Sequence, residues 1–246
     1  MSPAHIYRLG TSRMLLAGSS RLAPAKRGWK LTVAVPSSLT ADVPHLREKT
    51  SRLGFLGRSL GIFRVNEVLI YADLPPDEAA RNGRFVSSVL QYMETPQHLR
   101  RHLIRMNPDL RFVGILPPLR TPNHPLSGRI ADLKIGEIRE GVVVDRNAQK
   151  SQVDIGVGSL AEVSPGIRVG SRVTVKTQRI APKIVAELIG ESRIDIYWGF
   201  RVTLKNLPLG RLIKERKPDV VIATSRFGDG ADIMLDQIKA AISGSS

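Results

Sequence analysis

Three stretches of this sequence carry side chains able to hold an anion or move a proton. The first is Gly114 to Gly128, GILPPLRTPNHPLSG, where four prolines remove backbone donors and fix φ. Helix and central strand are both excluded there, so a rigid connector is expected. Arg120 and His124 project from it, and a stiff loop presenting an arginine and a histidine suits a binding surface as well as a solvated hinge. The second is HLRRHLIR, with Arg100, Arg101 and Arg105 beside His98 and His102 on one predicted helix. Arginines grouped in this way either face water or bind phosphate bidentately. The third is Ser225 to Gly230, SRFGDG, a glycine-bearing loop after an apolar run, the position at which parallel α/β sheets bind ligands.

The elements that must position these groups follow from periodicity. Lys30 to Pro36 and Glu67 to Ala72 read as strands, and Asp42 to Gly61 between them has helical spacing, a βαβ unit whose strands are parallel and buried. Gly54, Gly57 and Gly61 are unusual inside a helix and suit close packing. The GxGxxG and P-loop spacings are absent after Val35, which disfavours a dinucleotide oxidoreductase. Glu78 to Met93 forms a second helix. Thr95 caps a third, Pro96 to Met106. Arg111 to Leu116 reads as the strand entering the connector.

Beyond the connector the period changes to two. Lys134 to Val144, Ser151 to Val157, Gly170 to Lys176 and Lys183 to Leu188 read as short strands of an OB-like barrel. No aromatic residue lies between Arg129 and Ile194, so such a barrel would grip a polynucleotide through phosphates, by Arg129, Lys134, Arg172, Lys176 and their neighbours. Tyr197, Trp198 and Phe200 then close the junction with the α/β body. Arg201 to Leu204 is a strand, Leu207 to Glu215 a helix, Pro218 to Thr224 a further parallel-type strand, and Ala231 to Ile242 a final helix.

The expected organisation is therefore a basic, unstructured extension over residues 1–28, an α/β domain over 29–125 and 195–246, and a barrel insert over 126–194. Lys and Arg number 37 against 22 acidic residues in 246, a net charge of +15, which favours nucleic acid as partner. No apolar run is long enough to span a membrane. The sequence has no cysteine and five histidines, excluding thiolate sites and disfavouring a metal; the absence of cysteine suits a cytoplasmic protein.

Five stretches together resemble one family: LTVAVPSSLTA (Leu31 to Ala41), YMETPQHLRR (Tyr92 to Arg101), GILPPLRTPNHP (Gly114 to Pro125), YWGFRV (Tyr197 to Val202) and DVVIATSRFG (Asp219 to Gly228). They are similar to the archaeal and eukaryotic RNA methyltransferases of the SPOUT, or α/β-knot, class that carry an OB-like insert. The resemblance implies a mostly parallel sheet threaded into a trefoil knot, a homodimer, S-adenosylmethionine as cofactor and a structured ribosomal or transfer RNA as partner. It makes Thr224, Ser225, Arg226 and Gly228 candidates for cofactor contact. His124, the histidine of the connector, becomes a candidate general base. In the family the helix matching Ala231 to Ile242 is followed by a strand, a glycine-rich loop and a last helix; this sequence ends at Gly244-Ser245-Ser246, so an incomplete knot and cofactor pocket are expected. The alternative is an RNA-binding or assembly protein that keeps the fold without catalysis.

Overall fold

The computed structural model describes residues 23–244. Residues 1–22 of the expected N-terminal extension lie outside the described residues. The part that is described does not follow that expectation. Tyr197 N donates to Pro24 O (2.9 Å), Lys26 N donates to Asp195 O (3.0 Å), and Ala25 bridges Ile196, so residues 24–26 are strapped onto the body.

The body is a parallel sheet of three strands, β1 (Thr32–Pro36), β2 (Glu67–Tyr71) and β8 (Arg201–Leu204), in the order β1-β2-β8. β1 and β2 are joined by the helix α1 (Leu46–Ile62), as the βαβ pattern requires. β2 is central and buried from Glu67 to Ile70. Helix α2 (Pro76–Glu94) covers the sheet with Phe85, Val86, Val89, Leu90 and Met93. The three glycines of α1 do admit close neighbours. A Cβ at Gly54 would meet Leu116 and Pro117 at 3.0 and 3.2 Å, and one at Gly57 would meet the tip of Met93 at 2.7 Å. The connector and α2 therefore lie directly against the backbone of α1.

Three local expectations differ. The short helix α3 is Gln97–Leu103 and begins after Pro96; Thr95 does not cap it, because its hydroxyl is buried and donates to Gln91 O at 2.7 Å, closing α2 instead. Arg111 to Leu116 is no strand. Ile115 N and Leu116 N bond back to Phe112 O and Val113 O in a single 3-10 turn, which turns Val113 into the core just ahead of the donor-less Pro117 and Pro118. Pro218 to Thr224 also makes no ladder. Its Val221 and Ile222 are more than half exposed, and strand propensity without a packed face does not order a strand.

The second unit is a closed five-stranded barrel, β3 (Ile138–Arg146), β4 (Ser151–Asp154), β5 (Leu160–Val163), β6 (Arg172–Arg179) and β7 (Ile184–Leu188), in the order β3-β4-β5-β7-β6. All pairs are antiparallel except β5 with β7, the parallel contact that closes the ring. β5 has four residues and escapes the period-two reading. The barrel fills with its own aliphatic core, around Val143, Val153, Ile155, Val163, Val175 and Ile184, separate from the core of the body. After β8 follow α4 (Leu209–Arg216) and α5 (Ala231–Gly244).

Candidate functional site

The two units meet along α3, the end of α2 and the aromatic segment before β8. His98 on α3 stands over Gly156 of the barrel, whose φ of +78° and lack of Cβ let the imidazole approach; a Cβ there would lie 2.5 Å from the ring. His98 Nε2 is 3.1 Å from Glu140 O on β3. Arg101 reaches Asp154 Oδ2 at 2.8 Å. At the centre, Arg172 of β6 makes a two-bonded fork onto Glu94 of α2 (2.8 and 3.0 Å) and a further bond to Glu140. Trp198 Nε1 donates to the other oxygen of Glu140 at 2.7 Å. Burial pushes the Glu94 carboxyl up, and Arg172 offsets this only in part. This cluster sets the barrel's orientation on the body.

The basic residues expected to touch RNA thus separate into two groups. Arg172 is committed to Glu94 and Glu140, so its charge serves the junction. Arg100 lies over the Tyr92 ring, 4.2 Å from its centroid, and donates through Nε to Thr95 O at 3.0 Å. Arg129 pairs with Asp132 at 2.8 Å on the surface. Lys134 is exposed, and its backbone N donates to Glu137 Oε2. Arg105, Arg120 and Lys176 are exposed, with no ion pair among the described residues, while Arg101 keeps most of its side chain in water beside Asp154. The sequence flagged the charges but not their partners. Glu94 and Arg172 are 78 residues apart, and no local signal announces such a pair.

His124 is drawn inward. Its Nδ1 is 3.1 Å from Thr121 Oγ1, and Nε2 is buried without a hydrogen-bond partner. Burial, with the nearby Arg100 charge, lowers its pKa to about 4, although the Thr95 and Glu94 carbonyls pull the other way. The imidazole is therefore neutral at physiological pH. Asn123 beside it donates to Glu94 O at 3.4 Å and packs on Gly199, whose φ is +102°. The connector is thus pinned to the same junction as the barrel.

Thr224, Ser225, Arg226 and Gly228 stand apart from this junction on an exposed loop. Gly228 N donates to Ser225 O, Phe227 N to Ser225 Oγ (both 3.2 Å), and Arg226 stacks on Phe227 at 4.5 Å. The loop is a self-contained turn whose four residues do not by themselves wall in a nucleoside such as S-adenosylmethionine. Among the described residues no group of histidines and carboxylates could hold a metal ion, and no helix is long and apolar enough to cross a membrane.

Residues 30–245 match the profile of a family described as "Putative RNA methyltransferase". An uncharacterized protein of Haloarcula marismortui is 31% identical over 205 residues, covering 80% of this chain and 68% of that protein. One from Halobacterium salinarum is 32% identical over 204 residues, with the same coverage of 80% and 68%. The human 28S rRNA (uridine-N(3))-methyltransferase is 29% identical over 234 residues, covering 85% of this chain but 58% of the human protein.

Proposed function

This chain belongs to the RNA methyltransferase family that matches it over residues 30–245, and on that premise we propose that it is an S-adenosylmethionine-dependent RNA methyltransferase of the SPOUT class acting on ribosomal RNA. The observation that carries the reading is the family match spanning both units, body and barrel alike. The barrel serves as an RNA platform, with Lys176 and Lys134 on its surface and Arg101, Arg105 and Arg120 on the adjoining body. By likeness to the human relative, whose name specifies uridine N3 of 28S rRNA, the target is a base nitrogen. Such a nitrogen must lose its proton before it can take a methyl group, and the protein's main contribution is alignment. His124, the connector histidine expected to receive that proton, is poorly suited to the task, because burial lowers its pKa to about 4 and encloses its Nε2 in the junction.

The donor would meet Thr224, Ser225, Arg226 and Gly228, but this loop alone does not enclose it. A second surface is required, and we assign it to a homodimer formed through the α/β unit, with a knot around the same loop. The exposed Val221, Ile222, Phe227 and Ile233 support a covered face there. The test is calorimetric titration with S-adenosylmethionine, together with transfer of labelled methyl to ribosomal RNA. Binding and transfer are expected. RNA binding without any donor binding would replace this reading with that of a non-catalytic RNA-binding protein, which the open loop favours.

A further inference from the structure

Away from the barrel, at the amino-terminal edge of the parallel sheet, two arginines sit together without an acid. α1 ends in hydrogen bonds from Phe63 N to Ser59 O, Arg64 N to Gly61 O and Val65 N to Leu60 O. This is the helix ending whose left-handed position is ordinarily glycine. Here Arg64 occupies it, with a φ of +52°. Arg64 Nη1 donates to Ala25 O (3.1 Å), and Arg27 Nη1 donates in turn to Arg64 O (3.2 Å). Each guanidinium thus uses neutral carbonyls. Neither has a carboxylate within ion-pair distance among the described residues, although the other junctions of this molecule neutralise their arginines with Glu94, Glu140, Asp154 or Glu67.

Arg27 also lies over the Trp29 indole, 4.9 Å from the ring centroid, and Trp29 remains 43% exposed. Burial and the neighbouring Arg64 both work against the charge of Arg27, with Tyr197 acting the other way. Paired donors beside an open aromatic face match a nucleotide: a phosphate between the guanidinium groups and a base on the indole.

We propose that Arg27, Trp29 and Arg64 form a second RNA contact, in which a single-stranded nucleotide stacks on Trp29 while its phosphate bridges the two arginines. It lies at the opposite end of the strands from their carboxyl edge, where ligand sites of parallel sheets are found. It therefore extends the RNA footprint beyond the barrel. This inference rests on RNA being the partner.

The test is titration of the whole chain with a fluorescein-labelled single-stranded RNA of about 12 nucleotides, within the usual footprint of single-strand binders. Trp29→Ala should weaken binding about tenfold, the size of one lost stack, while Trp29→Phe should retain most of it. Arg64→Gly keeps the left-handed backbone and should lower the slope of log affinity against log salt by about one, as should Arg27→Gln. RNA binding by the parent chain with all of these variants inside twofold and at unchanged slope would overturn the second contact alone. No RNA binding by the parent chain would overturn it together with the RNA reading on which it rests.

Discussion

At the scale of single residues, the buried charges decide most. Arg172 pairs with both carboxylates that α2 and β3 carry into the junction, with side-chain exposures of 15% for Glu94 and 7% for Glu140. Arg172→Met is expected to destabilise the protein by about 3 kcal/mol, since it strands both acids, and denaturant unfolding would show it. A loss below about 1 kcal/mol would mean that water already reaches them. Two groups make stability depend on pH, in windows that overlap only between about pH 5 and 4. For Glu67, burial raises the pKa, but bonds from Arg216, Lys30 and Thr203 outweigh it and hold the carboxyl at about 2. A depressed carboxylate stabilises the fold above its unfolded pKa, so this contribution is present near neutrality and fades as pH falls from about 5 towards 2. His124, with its pKa lowered to about 4, resists protonation only when folded. The unfolded chain takes up that proton first, so stability declines as pH falls from about 6.5 to 4, by up to about 3 kcal/mol. Stability measured against pH should lose the upper part of its acid limb in His124→Asn and the lower part in Glu67→Gln.

At the scale of elements, α3 and the connector are placed by what their neighbours lack. Gly156 and Gly158 both have positive φ, +78° and +77°, yet a Cβ at the first would strike the His98 ring while one at the second would meet nothing within 4 Å. Gly158→Ala should therefore show only the strain of a left-handed residue, about 1 kcal/mol. Gly156→Ala should lose more, because α3 must lift off the barrel, and the difference between the two melting curves measures that contact. Equal losses would show that His98 does not rest on the barrel backbone.

At the scale of the whole molecule, the chain carries a net charge of +15, and among the described residues Arg105, Arg120 and Lys176 are exposed with no ion pair. Affinity for structured RNA should accordingly fall steeply with salt, by a factor of about 1,000 between 50 and 200 mM if six or so phosphates are contacted. A nearly flat salt series would remove phosphate contact as the source of binding. The junction also joins the two cores, with Glu94, Arg172, Glu140 and Trp198 at its centre.

Much of this was legible along the chain, and for a local reason. Alternation in SQVDIGV and GSRVTVK, helical spacing in α1 and α2, and the prolines of the connector each act through residues a few positions apart, so the parallel βαβ unit and the barrel could be read directly. The charge and the family resemblance likewise needed no coordinates. Other features depended on partners distant in sequence. Arg172 looked like an RNA ligand until the fold set Glu94 and Glu140 against it, Thr95 looked like a cap until burial turned it to α2, and Pro218 to Thr224 looked like a strand although the sheet ends at β8. Arg27 and Arg64 meet only because α1 ends where residues 24–26 cross. Local propensity governs what a segment can become; which charges are cancelled, and which stay open to a ligand, is settled only when distant segments are packed together.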